Sequence, residues 1–456
     1  MRKTILLLAM AVSGFCSAQK LTDKVDVFLG TGGHGHVYPG ATVPFGMVQL
    51  SPDNGVEGWD WCSGYHYSSD SIAGFSHTHL SGTGIGDWCD ISVLPLTRSS
   101  RPQSGKVGFS HKNESGRPGY YKVLLNNGVL CELTASAHNG YHKYTFPASN
   151  GWLQFDMGFR INWDKPTDAS LQLINDSTLA GYRFSTGWAK NQRVYFAARF
   201  SKPIIGSNLT AKPLHQKDAA ALLQFKTDQQ PLYVRVAISS VSSEKAQEEL
   251  KETAGESFEL VKTKADALWE KELRKITISA TNKNFETQFY TALYRTCLAP
   301  VLYSNSDGTY RNQDSSLHKV KGNKYTVYSL WDTFRALHPL FTITQKERLP
   351  DLINSLLQFY DDNGLLPVWD LSTWETNTMT GYHAIPVLSD AILKNETGFD
   401  VEKAYKAMQK SAYQKQRGTP DYIKYGYLPQ SKHGWSVTIT LEYAFDDWCI
   451  AQVAKN

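Results

Sequence analysis

The first half of the chain is written in short runs of alternating apolar and polar residues. Tyr120-Tyr121-Lys122-Val123-Leu124-Leu125, Val129-Leu130-Cys131-Glu132-Leu133-Thr134, Trp152-Leu153-Gln154-Phe155 and the stretches 194–200 and 232–237 all have strand composition. Gly, Asn, Asp and Pro punctuate them from about Leu21 to about Ser240. Many short strands at this spacing predict an all-β sandwich. From 242 to 273 the composition changes to Glu, Lys and Ala with apolar residues at helical spacing, which predicts a polar-faced linker helix between two domains.

The helical period then persists. Segments 285–302, 329–343, 346–360, 381–393, 401–413 and 437–454 each carry apolar residues three and four apart. Asp361-Asp362-Asn363-Gly364 and Arg417-Gly418-Thr419-Pro420 are turn chemistry between them. Successive helices joined by loops rich in Trp, Tyr, Pro and Gly predict a helical toroid. A closed double ring needs roughly twice as much helical sequence, and the last helix reaches the final residues with no Gly cap or Pro stop, only the terminal Asn456. The C-terminus is therefore expected to be truncated. The expected division is a signal peptide at 1–18, a β-sandwich at 19–241, a linker helix region at 242–275 and the first part of a helical barrel at 276–456.

The N-terminus stands outside this pattern. Arg2 and Lys3, the apolar run 5–12 and Cys16-Ser17-Ala18 have the layout of a secretory signal, cleaved after Ala18, so a secreted or periplasmic protein is expected. A lipoprotein anchored at Cys16 is the lesser reading, because Phe15 is bulky where a small residue belongs. No later run approaches the ~20 apolar residues of a membrane span. The net charge of +4 is spread over 47 basic and 43 acidic residues without clustering, which argues against a nucleic-acid partner. Cys62, Cys89, Cys131, Cys297 and Cys449 are odd in number and scattered, so buried free thiols with one disulfide at most are expected.

The candidate chemistry lies in a few segments. Ser329-Leu330-Trp331-Asp332-Thr333-Phe334-Arg335 and Trp374-Glu375-Thr376-Asn377-Thr378-Met379-Thr380-Gly381-Tyr382-His383 combine rings, carboxylates and a guanidinium, the materials of a sugar pocket. Asp332 and Arg335 are three apart and share a helix face. The glycine-rich stretch 30–46 lacks the Gly-Lys-Ser/Thr of a phosphate loop. His34 and His36 within it are candidate metal ligands, although such histidines more often serve as structural hydrogen-bonding groups. In 75–90, a pair of histidines and several glycines precede Asp87-Trp88-Cys89-Asp90, which reads either as a loop presenting Trp88 to a sugar or as a sandwich corner with a packed Trp. No Gly-x-Ser-x-Gly elbow accompanies them, so serine hydrolysis is rejected. Glu442, Asp446 and Asp447 sit on the last helix, with Glu442 nearest Asp446.

The strings GTGGHGHVYPGATVPFGMVQLSPD (30–53), GFSHTHLSGTGIGDWCD (74–90), YSLWDTFR (328–335), WETNTMTGYHAIPVLSDA (374–391) and TLEYAFDDWCIAQVAK (440–455) are specific enough to name a family. The chain resembles glycoside hydrolase family 92, exo-acting α-mannosidases of Bacteroides-like bacteria, over essentially its whole mature length. The resemblance implies a multidomain β + α chain, an N-terminal β-sandwich followed by a partial (α/α)6 barrel, with the site between them. It also implies a calcium ion at the mannose hydroxyls and an inverting reaction with one acid and one base. Trp88 and Asp332 match mannose-contacting positions, the backbone of Thr31 and Gly32 approaches the same subsite, and Arg335 and Glu375 support it. The family's acid and base segments, a Gly-Asn-Ala-Trp-rich stretch and a later Asp-rich one, do not occur in these 456 residues. No catalytic residue is therefore expected in this chain, and the acid and base are expected downstream of Asn456. Glu442 and Asp447 belong to a motif before the acid, and the calcium ligands stay unassigned. The expectation is a calcium-dependent α-mannosidase acting on mannose-containing N-glycans or mannans, α-1,2 by default, monomeric at full length and inactive as these 456 residues alone. The alternative is a non-catalytic mannoside-binding or inactive shortened product.

Overall fold

The structure, a computed structural model, describes residues 19–210 and 219–456. The expected signal peptide, with Cys16 and Ala18, lies outside the described residues.

Two antiparallel sheets form the N-terminal part. The first runs in the order Ala41–Thr42, Gln49–Asp53, Gly74–Ser76, Ser92–Leu96, Asn150–Asp156, Ala220–Lys226 and Ile204–Leu209. The second runs Lys165–Asn175, Thr178–Thr186, Gln192–Phe200, Leu232–Ser239, Asn139–Thr145, Leu130–Ala135, Tyr120–Leu125, Val107–Arg117 and Ser71–Ile72. The alternation read from the sequence is the burial pattern: Tyr121, Val123 and Leu125 face inward while Lys122 and Leu124 face out. The inner faces meet through aromatic rings, with Phe155 of the first sheet stacked on Phe196 of the second at 6.0 Å and edge-on to Phe200 at 5.9 Å.

The single linker helix expected at 242–273 is two helices, α1 (Ser243–Glu252) and α2 (Phe258–Leu273). Gly255, at φ +85°, breaks the run, and Ser257 caps the second helix by accepting from Leu260 N at 3.2 Å. Neither helix is a spacer. Ala246 and Leu250 of α1 close onto Ala180, Ala197 and Ala237 of the second sheet, where small side chains let helix and sheet approach. In α2 the fully buried Trp269 donates from Nε1 to Thr42 O at 2.7 Å and packs on Tyr294 at 4.5 Å, tying sandwich to helices. Its outer carboxylates hold the start of the described chain: Glu270 accepts from Leu21 N (2.9 Å) and Thr22 N (3.1 Å), and Asp266 from Lys20 Nζ (2.5 Å) and Thr22 Oγ1 (3.1 Å).

Beyond α2 the fold is helical: α3 (Lys283–Arg295), α4 (Leu330–Thr333), α5 (Leu337–Thr344), α6 (Leu349–Asn363), α7 (Ala384–Leu393), α8 (Val401–Ala412), α9 (Thr419–Tyr425) and α10 (Ser436–Lys455). The helix expected at 329–343 is broken between α4 and α5. A continuous helix would need an amide at Pro339 for the Arg335 carbonyl, and proline has none. The one expected at 285–302 stops at Arg295, five residues before Pro300. On α10, Tyr443, Asp446, Cys449 and Val453 turn inward, and Val437, Leu441, Phe445 and Trp448 remain exposed. Asn456 takes the cap position of this helix, its N donating to Val453 O at 3.2 Å. The five cysteines from Cys62 onward are all free and buried. Among the described residues no helix is long and apolar enough to cross a membrane.

Candidate functional site

A small three-stranded sheet at the domain seam joins the segments singled out above. Tyr328–Ser329 pairs with Trp369–Leu371, which pairs with Trp374–Glu375; Ser329 lies opposite Trp369 and Asp370 opposite Glu375. Asp332 follows within one helical turn and accepts from Ser329 Oγ at 2.5 Å. From the sandwich, Trp88 reaches the same sheet and donates from Nε1 to Ser372 Oγ at 3.3 Å. Trp88, Trp369, Leu371 and Val327 form one apolar cluster with Leu80, Ile85, Ala189 and Val301, edged by Trp188 and Trp374. Trp88 is only 4% exposed, so its ring is a wall of the seam and not a loop tip.

The exposed rim sits above a carboxylate network on α10. Trp331 Nε1 donates to Glu442 Oε1 at 2.9 Å, and Arg335 lies 3.6 Å from the same oxygen. The Arg335 guanidinium spreads over the Phe334 ring at 4.6 Å, and Phe334 stacks on His383 at 4.1 Å. His383 Nδ1 bonds Asp446 Oδ1 at 2.8 Å, Tyr382 N donates to Asp446 Oδ2 at 2.9 Å, and Tyr382 Oη donates to Asp447 Oδ1 at 2.9 Å. Burial raises the Asp446 and Asp447 carboxyls above the usual range, opposed by these hydrogen bonds. Tyr382 and His383 end the second candidate segment, although the sequence assigns neither an individual role. The signal available is polar side chains in a segment otherwise built to pack. Glu442, Asp446 and Asp447 on α10, and Asp332 and Glu375 at the seam, each accept at least one hydrogen bond from the protein.

Glu375 does not point a free carboxylate at solvent. Its Oε2 accepts from Val368 N at 2.6 Å, and its Oε1 from Trp369 N at 3.1 Å and Asn377 N at 2.7 Å. It is the clasp of the loop. Thr31 and Gly32 lie in a glycine-rich loop of their own: Thr31 Oγ1 donates to Phe28 O at 2.8 Å, and Gly32 lines a groove with Asp26, Phe28, Tyr67, His111 and Glu114. His34 Nδ1 bonds Asp60 Oδ1 at 2.6 Å, and Trp59 packs against both His34 and His36. The link to the seam runs through Gly82 N, which donates to His36 O at 2.7 Å.

Asp370, between the two paired strands, is buried, and burial pushes its carboxyl up to about 7 against the pull of the Lys324 ammonium. Its value in the unfolded chain is about 3.9, so between these limits the folded state holds the extra proton. Stability is then full at low pH and declines toward pH 7 by up to about 1.4 kcal/mol per unit from this group. The expected result is a flatter melting-temperature profile from about pH 4 to 7 for Asp370→Asn than for the parent, read by calorimetry.

Residues 24–239 match the glycosyl hydrolase family 92 N-terminal domain and residues 245–456 its catalytic domain. A curated protein of Arthroderma benhamiae, described as an uncharacterized secreted glycosidase, is 26% identical over 95% of this chain and 59% of its own length. A family GH92 alpha-mannosidase from Bacteroides thetaiotaomicron superposes with a TM-score of 0.91 at 39% identity over 96% of this chain and 63% of that one, and has also been solved with mannoimidazole. An inverting GH92 mannosidase of the same organism gives 0.84 at 29% identity, over 96% and 62% of the two chains. The chain thus spans about three-fifths of the length of these relatives. With both domain families matched in order, and the sheets and helices superposing throughout, the chain belongs to glycosyl hydrolase family 92.

Proposed function

We propose that this protein serves an inverting exo-α-mannosidase activity directed at terminal mannose of N-glycans or mannans, with α-1,2 linkages first. The observation that carries the reading is the TM-score of 0.91 to an α-mannosidase that binds mannoimidazole. In this reading the exposed Asp332 accepts from sugar hydroxyls, and Arg335, held flat on Phe334, donates to them. The buried Trp374 Nε1 has no protein partner and is a further donor. Trp88 shapes the wall, the Thr31-Gly32 backbone lines the approach, and Glu375 keeps the loop in place.

Inverting hydrolysis needs one carboxylic acid and one carboxylate free to work on water. Glu375, Asp446 and Asp447 are each committed to hydrogen bonds, and Asp332 to Ser329. The family's acid and base segments do not occur in these 456 residues, and in this reading none of Asp332, Glu375, Glu442, Asp446 and Asp447 takes either role. The 456-residue chain is therefore expected to bind mannosides without cutting them. Titration with mannoimidazole should show saturable binding that Asp332→Ala weakens, while α-mannobiose should release no mannose. Failure to bind mannoimidazole would remove the mannose site; calcium-dependent release of mannose would overturn the second half.

The calcium dependence implied by the family belongs to the same proposal. Calcium takes six to eight oxygen ligands. The His, Cys and carboxylate donors that converge among the described residues are Asp53, His79 and Cys89, whose nitrogen and sulfur suit it poorly. These residues do not fit calcium, and no step above passes through it. Export after removal of 1–18 and a monomeric state complete the reading.

A further inference from the structure

We propose that Asp53, His79 and Cys89 form a structural transition-metal site in the sandwich, fitted to Zn2+, which fastens the segment carrying Trp88. The inference stands on the sandwich alone and does not depend on the mannoside reading.

One ligand atom from each residue lies within 4.8 Å of the other two, and all three residues are buried. Thiolate, imidazole and carboxylate together are the donor set of a four-coordinate zinc ion, with bonds of about 2.0–2.3 Å and donors about 3.3–3.8 Å apart. The Asp53–His79 pair, at 2.8 Å, has to open by about 0.5 Å to seat the ion. Ser76 Oγ, 3.1 Å from His79 Nε2, stands where a fourth oxygen belongs. Gly64 borders the cluster without a side chain: a Cβ there would fall 2.3 Å from Asp53 Oδ1 and 2.9 Å from His79 Nε2.

Hydrogen bonds orient the imidazole toward the cluster. His79 Nδ1 lies 2.8 Å from the Gln49 carbonyl, which only accepts, so the ring proton is on Nδ1. In the neutral ring, the Nε2 lone pair then faces Asp53 Oδ1 at 2.8 Å, two acceptors in contact. At this hydrogen-bond separation a proton lies between them, and an ion would take its place as the pair opens. A backbone carbonyl on Nδ1 is also how metal-bound histidines are oriented. Asp53 Oδ2 is held by Ser76 N at 3.0 Å, which fixes the carboxylate plane. A divalent ion bound by a thiolate, a carboxylate and an uncharged imidazole leaves the site neutral.

The site has structural work to do. Trp88 (φ +81°), Cys89 (φ +58°) and Ile91 (φ +57°) are all left-handed, a conformation costly for residues with a Cβ. A metal–thiolate bond at Cys89 anchors this run beside the Trp88–Ser372 hydrogen bond across the seam.

Because the donors are buried, the ion enters as the chain folds. The test is to produce the full chain without a polyhistidine tag in cobalt-supplemented medium and to record its absorption and metal content after dialysis. The expected result is one equivalent of cobalt, a thiolate-to-cobalt charge-transfer band, and loss of both in Cys89→Ala but not in Cys62→Ala. A wild-type chain with no bound cobalt and no band overturns the site, and so does a band that survives in Cys89→Ala. If Cys89→Ala does not fold, His79→Gln takes its place, and the wild-type spectrum still decides whether a thiolate binds the ion. An imidazole shown by 15N resonances to carry both ring protons also overturns it.

Discussion

Arg183→Leu is expected to destabilise the protein by about 3–5 kcal/mol, enough to unfold many domains of this size. The guanidinium is fully buried and donates in four directions: to Asp90 Oδ1 and Asp164 Oδ2, each at 2.5 Å, to Met157 O at 3.1 Å and to Phe159 O at 3.0 Å. Leucine fills much of the space and leaves two carboxylates and two carbonyls unpaired in a dry interior. Asp90 keeps Thr78 Oγ1 at 2.7 Å and Gln192 Nε2 at 2.6 Å, which cannot replace a positive charge. Arg183→Lys keeps the charge and loses the fork, so it should fall between parent and leucine. Adding Asp90→Asn and Asp164→Asn to the leucine variant should recover part of the loss, because breaking a buried pair costs more than deleting both partners. Urea unfolding decides the matter; a loss under about 1 kcal/mol would mean that the pair behaves like a surface ion pair.

The second large effect is expected at Glu375. Glu375→Gln keeps the shape but turns one acceptor oxygen into an NH2 group facing backbone N–H donors from Val368, Trp369 and Asn377. At least one of these must go unpaired or turn away, at about 1–3 kcal/mol. The loop between Trp369 and Asn377 carries Ser372 and Trp374, so loosening it also releases the Trp88 hydrogen bond. Unfolding should show a loss of that size, and mannoimidazole affinity should drop about tenfold for each 1.4 kcal/mol of loop ordering that binding must then supply. Unchanged stability with unchanged affinity would show that Glu375 does not hold the loop.

Much of the fold was legible because both periods are physical. Strands such as Tyr120–Leu125 must alternate to bury one face, and α8 and α6 must repeat near every fourth residue to bury theirs. The errors came where one backbone group overrules a good pattern: Pro339, in the first turn of α5, cannot bond back to Arg335 and so separates α5 from α4 although the apolar spacing continues, and Gly255 splits another helix. The site was legible in composition but not in orientation. A Trp beside carboxylates reads equally as presented or packed, and only tertiary contacts show Trp88 buried and Glu375 turned onto the backbone. The clustering of Asp53, His79 and Cys89 was invisible because sheet pairing, not sequence spacing, brings strand ends together.

The stitching of Lys20, Leu21 and Thr22 to Asp266 and Glu270 sets a clock on biosynthesis. The carboxylate that receives Leu21 N comes 249 residues later. At about 5–20 residues per second, the first described residues wait about 12–50 s before their partners exist. Throughout that interval the amides of Leu21 and Thr22 lack their native acceptors. Whatever machinery handles the emerging chain meets this leading turn with those donors open, and they are satisfied only once α2 has been synthesised after the whole sandwich.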